Sequence, residues 1–275
     1  MLTRRYFLTY SLVAVTMPSV ALAKDFALHV VVGSSLIEDI VLDLTQGKAK
    51  TLAVIPGSAC PGHTDVKASD MIFAAKADLI LLHGFQRRLD SVQQLLHVAK
   101  QNKRDGQFLS VNGSWTIPSV NREASQLIAN HLLGVAPKAW HAMIQSRLQA
   151  RLNKITEFEI QVQSALTPLK GKTVVAAEMQ KEFAAWAGLT VAATFGSAES
   201  MSPKTVADII RKLKNQSVLG VVENMQSGAE SGLPVATEMK VPRCVLSNFP
   251  GATPAMPDYY GLLNTNVQAL LSLLR

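Results

Sequence analysis

Beyond residue 23 the chain has no long apolar run, which excludes a helical membrane span from the rest of the sequence. Cysteine is scarce. Cys60 and Cys244 are the two in the chain, so it can form at most one internal disulfide, which an oxidising compartment would permit. Aromatics make up only 6% of residues, and no Lys/Arg block is interleaved with them, so there is no nucleic-acid footprint. There is no Gly-x-Ser-x-Gly elbow, no Gly-rich phosphate loop and no dinucleotide fingerprint. No pair of acids is placed for acid/base work. These absences argue against the common hydrolase, nucleotide-binding and DNA-binding classes, and we expect no enzyme.

The first 23 residues read as an export signal. Arg4 and Arg5 supply the positive start, residues 10–23 form a short apolar stretch broken by Pro18, and Ala21-Leu22-Ala23 is a small-x-small cleavage site. Residues 3–8 also fit a twin-arginine pattern, so secretory and twin-arginine export both stay open. A periplasmic location is expected. The signal holds two arginines and no acid, so the formal charge of +7 falls to +5 once it is removed. The remaining chain is long enough for one large or two small domains.

Strand and helix patterns alternate through residues 24–136: strands over 26–33, 51–56, 78–84 and 107–111, with helices over 34–44, 68–75, 86–101 and 118–133, the last stopped by Gly134. From 137 to 168 the pattern is helical only, with Trp140, Ile144, Leu148, Leu152, Ile155, Phe158, Val162 and Leu166 on one face. Gln145, Arg147, Gln149, Arg151, Lys154 and Glu157 fill the other. This reads as a spine between two lobes; the apolar repeat is short for a coiled coil. From 169 to 275 the alternation returns, with strands over 172–177, 189–195, 217–222 and 243–246 and helices over 178–187, 202–215, 230–239 and 259–274. The expected fold is α/β: two lobes, each with a mostly parallel sheet flanked by helices, joined by one long helix. A continuous helix resists bending, so a small hinge motion is expected.

In open α/β sheets ligands bind beyond the strand C-termini. There the front half places Cys60-Pro61-Gly62-His63 and, after its third strand, His83. The rear half places Glu178 and Gln180, then Glu223, Asn224 and Gln226, then Ser247 and Asn248. A thiol and an imidazole on a Pro-Gly turn suit a soft metal. The same pair could be a buried Cys with a loop His, or a nucleophile with its base. His83 reads as a satisfied strand-end histidine and Cys244 as a buried strand residue. Glu178 and Glu223 could equally serve a helix terminus or a capping loop, and an amide-rich cleft suits a chelate or a polar solute.

The segment Val54-Ile55-Pro56-Gly57 through His63, then Ser69-Asp70 and Ala77-Asp78-Leu79-Ile80 to Gly84, resembles the metal-binding solute receptors of ABC transporters, the ZnuA/TroA-like zinc/manganese family. The resemblance covers nearly the whole chain after the signal. It implies that His63 is the first metal ligand and that Glu178, before Gly188-Leu189, stands near the third. Trp115 and Pro118 fit the second motif, but Gly113 occupies its His position; Ser247-Asn248 stands where the family has Asp, and the family's His-rich acidic loop is missing. The chain therefore looks like a divergent branch. The expected set is His63 and Glu178 as metal ligands, Cys60 and Glu223 as further ligands, and Gln180, Asn224, Gln226 and Asn248 orienting them. The expected cargo is a transition metal, zinc first and manganese, iron or copper next, or a metal chelate, passed by a monomer to a membrane permease. An organic-solute receptor and a Cys/His-dependent periplasmic enzyme are the alternatives.

Overall fold

The computed structural model describes residues 27–62, 64–228 and 230–275. The export signal expected over residues 1–23, and His63, lie outside the described residues.

Two central hydrophobic strands, buried on both faces, anchor the front lobe. Its elements are β1 (His29–Ser34), α1 (Ser35–Leu44), β2 (Lys50–Ile55), α2 (Ala68–Ala75), β3 (Leu79–His83), α3 (Asp90–Gln101), β4 (Gln107–Leu109) and α4 (Pro118–Val135). All strand pairs are parallel, in the order β2-β1-β3-β4. Side chains alternate across such a sheet. Val30, Val32 and Leu81 therefore pack with α1 and α4 residues, while Val31, Ile80 and Leu82 pack with α2 and α3 residues. The rear lobe repeats the plan with β5 (Thr173–Ala177), α6 (Lys181–Trp186), β6 (Thr190–Phe195), α7 (Pro203–Leu213), β7 (Gly220–Asn224), α8 (Leu233–Met239), β8 (Arg243–Leu246) and α9 (Tyr259–Ser272). Its order, β6-β5-β7-β8, is again fully parallel. Between the lobes runs α5 (Lys138–Leu166), 29 residues and so about 44 Å long.

Several boundaries differ from the sequence expectation. The helix expected over 86–101 opens as a tight 3-10 turn, Gly84–Arg88, and Leu89 is extended before α3 begins. The cause is Gln86. Its side chain is fully buried, accepting from the His83 backbone N–H at 2.8 Å and donating to the Gly33 carbonyl at 2.7 Å. Gly134 does not stop α4, which runs to Val135 and ends where Ala136 turns extended before Pro137. The helix expected from 178 starts as a 3-10 turn, Glu178–Gln180. β7 extends to Asn224, two residues past expectation, because Glu223 and Asn224 pair with Val245 and Leu246 of β8.

Arg151, on the polar face of the linking helix, is buried. Its side chain is 1% exposed and reaches Asp39 at 2.8 Å and Asp43 at 2.9 Å on α1. Ser125 and Asn121 of α4 take two more of its bonds, so the buried guanidinium is held by four neighbours. The rear segment in turn enters the front core: Phe249, Met256 and Leu262 belong to the same apolar cluster as Val30, Ile128 and Ile144.

Candidate interlobe site

The rear lobe's strand ends converge on a layer of amides. Gln180 comes from the turn after β5, Asn224 from the last position of β7, Gln226 from the next turn, and Ser247 and Asn248 from the loop after β8. The Gln180 Nε2 donates to Asn224 Oδ1 and to Asn248 Oδ1, both at 2.9 Å. Asn248 Nδ2 donates to the same Asn224 oxygen at 2.9 Å. Asn224 Nδ2 donates to Ser227 Oγ at 2.6 Å. Gln226 accepts from the Asn248 backbone N–H at 3.0 Å and donates to Ser247 Oγ at 2.8 Å. Its Nε2 also donates to the Gly57 carbonyl of the front lobe at 2.9 Å, so the layer touches the loop that follows β2.

Gly57 is required there by close approach. A Cβ on it would lie 2.2 Å from the Pro250 carbonyl oxygen and 2.6 Å from the Ala252 nitrogen. Among the described residues four more links cross between the lobes, one of them from the Tyr259 hydroxyl to the Thr116 carbonyl at 3.2 Å. In the other three, Ser35 Oγ donates to the Pro250 carbonyl at 2.7 Å, the Tyr259 backbone N–H to Asp39 Oδ1 at 3.2 Å, and the Ser114 backbone N–H to Glu182 at 2.6 Å. The last stands beside Gly113, whose φ of +92° places it in the left-handed region.

Strand alternation separates two residues that sequence placed together. Asn224 enters the amide layer, whereas Glu223 projects to the other face of β7. There its carboxylate is fully buried and 3.0 Å from Arg243. Burial pushes its carboxyl up from the ordinary range, against the opposing pull of Arg243. The expectation of Glu223 beside Gln180 and Asn224 as a ligand is thus corrected: its carboxylate is committed elsewhere. Glu178 is 52% exposed, and its nearest described partner is Lys181, 4.0 Å away on the surface. Cys60 is half-buried and carries a free thiol; Cys244 is a free thiol buried in β8, so the two are not bridged. Burial, with the Glu223 charge beside it, pushes the Cys244 thiol up to about 12 and keeps it an inert core residue.

His83 is the satisfied strand-end histidine its position suggested. It is buried, bonded to Ser34 Oγ at 2.8 Å and set edge-on against Trp115 at 4.4 Å. Burial lowers its pKa to about 3, so the ring is neutral.

Among the described residues no three His, Cys, Asp or Glu side chains come together closely enough to hold a metal ion. A cavity of about 550 Å³ lies away from the amide layer, between α1, α5 and the 250–260 loop. It overlies the pairs of Arg147 and Arg151 with Asp39 and Asp43, and most of its charges answer one another. Glu182, Gly57 and Arg151 are the structurally decisive residues that pattern reading missed. Gly57 alone left a signal, the glycine closing a buried strand.

The fold matches solved structures at low identity. A structure described as ZnuA aligns with a TM-score of 0.73 at 16% identity, over 90% of this chain and 99% of that one. The Mn-bound periplasmic metal binding protein of Candidatus Liberibacter asiaticus aligns at 0.75 and 14% identity over the same shares. Its Cd-bound form aligns at 0.74 and 15%, again over 90% and 99%. These likenesses establish the two-lobe fold. Comparison with curated proteins gave no match. The sequence pattern of the family described as "ZnuA: Zinc-uptake complex component A periplasmic" matches residues 30–272 of the 275. The fold, the repeated strand order and this match over nearly the whole chain agree: the chain belongs to the ZnuA family of periplasmic zinc-uptake components.

Proposed function

We propose that this protein is the periplasmic solute-binding component of an ABC transporter, which takes a transition metal or metal complex between its lobes and hands it to a membrane permease. Family membership across residues 30–272 carries the proposal. The convergence of both lobes' strand ends, joined through Gln226 and Gly57, supports it. His63, Cys60 and Glu178 are the proposed metal contacts, the front-lobe pair offering the soft N/S donors that zinc accepts. Glu223 is left out, because its carboxylate is fully buried on the other face of β7 and paired with Arg243. Gln180, Asn224, Gln226 and Asn248 would orient the cargo and its ligands.

Zinc is the first candidate, with manganese and iron next; the structural relatives include Mn-bound and Cd-bound forms. The test is a metal scan of the mature protein by calorimetry and thermal shift. We expect at least one transition metal to bind, and H63A and C60S to weaken it. No binding and no shift with any metal, alone or chelated, would end the proposal and favour an organic solute held by the amides.

A further inference from the structure

The rear lobe's contribution to the interlobe layer carries no formal charge. Gln180, Asn224, Gln226, Ser247 and Asn248 are all neutral groups joined in one hydrogen-bonded sheet of side chains. Of the nearby acids, Glu223 pairs with Arg243 and Glu182 accepts from the Ser114 backbone N–H, which leaves Glu178, exposed and 4.0 Å from Lys181, as the one carboxylate beside the layer that can turn to a metal. A bare divalent ion pressed against such a layer would find at most the single charge of Glu178 on that side, and burying an incompletely compensated charge is costly. Gln180 adds a second observation. It is fully buried, its Nε2 is engaged twice, and its Oε1 has no hydrogen-bond partner. A buried acceptor left unsatisfied is a standing cost that a donor would remove.

We propose that the cargo is a small, near-neutral metal chelate, which brings anionic ligands of its own and donates an N–H or O–H to Gln180 Oε1. This rests on the metal-binding reading above. The ion's charge is answered inside the chelate and by the front-lobe loop, while the amides recognise the chelate's periphery. The Oε1 is sealed in the present arrangement, where Gln226 and Gly57 hold the layer against the front loop. The chelate therefore enters when the lobes part and takes up that bond as they close.

The test offers the purified mature protein two probes, Zn2+ alone and the neutral bis-histidine complex of Zn2+, followed by calorimetry and by native mass spectrometry to weigh what is bound. The expected result is the intact complex in the mass spectrum, bound tighter than Zn2+ alone. Q180L should weaken the complex by about tenfold, the loss of one bond to a buried group. Q180E keeps the shape and adds charge, and should shift preference toward bare Zn2+; it also serves if Q180L does not fold. Binding of Zn2+ alone, with histidine stripping it off or with Q180L and Q180E both at wild-type affinity for the complex, would overturn the chelate and leave metal binding standing. Binding of neither probe would overturn both.

Discussion

Individual side chains in this protein are assigned by what surrounds them more than by what they are. Glu223 reads as a metal ligand in sequence and His83 as a satisfied strand-end histidine, and the structure ties both down. A buried histidine with a lowered pKa resists the proton that the unfolded chain accepts near 6.5. Stability from His83 is thus full above 6.5 and is lost as pH falls toward about 3, by about 1.4 kcal/mol per pH unit. Denaturant unfolding at steps from pH 7 to 4 should show wild type losing more stability than H83Q; equal slopes would refute it. Gln226 makes the clearest residue-scale prediction. Leucine there strands the Asn248 N–H and the Gly57 carbonyl, and should cost about 1–3 kcal/mol in a urea melt.

Among the elements, α5 does more than span a gap. Its Arg151 is tied to α1 through Asp39 and Asp43 and to α4 through Asn121 and Ser125. Removing one side of a buried ion network leaves the other uncompensated, so R151M should cost about 3–5 kcal/mol. Adding D39N and D43N should recover part of that loss, and a triple variant no better than R151M would sink the account. β7 shows why element ends matter for chemistry. Two more residues of strand turned an expected loop of Glu223 and Asn224 into a pair facing opposite ways. The strands, the order of helices and the spine were legible in the periodicity of apolar residues. The extent of β7 was not, because it depends on pairing with β8, which lies 20 residues further on.

For the whole molecule, the lobes are repeated in plan but not independent in packing. Phe249, Met256 and Leu262 fill the front core, and among the described residues five hydrogen bonds cross between the front lobe and the rear segment at Gly57, Ser35, Asp39, Ser114 and Thr116. A fragment ending at residue 136 lacks those apolar side chains and Ile144, and should fail to give a cooperative melt by circular dichroism. Gly57→Ala tests the closeness of the lobes. Its methyl would overlap the Pro250 carbonyl, so it should destabilise by about 1–3 kcal/mol and widen the particle in small-angle scattering. An unchanged radius and melt would show that the contact is not needed.

The sequence by itself determined the class of fold, the repeated β/α plan, the long linking helix and which polar residues stand at the strand ends. Those follow from local periodicity and turn residues, which need no knowledge of distant neighbours. Only the tertiary structure decided which of those strand-end groups share a space. It joined Gln180, Asn224, Gln226 and Asn248 into one layer, sent Glu223 to Arg243, and buried Arg151 of the linking helix's polar face. The reason is physical. Whether a polar side chain meets water, a partner or a ligand depends on contacts between residues far apart in the chain, and nothing in their local spacing encodes those contacts.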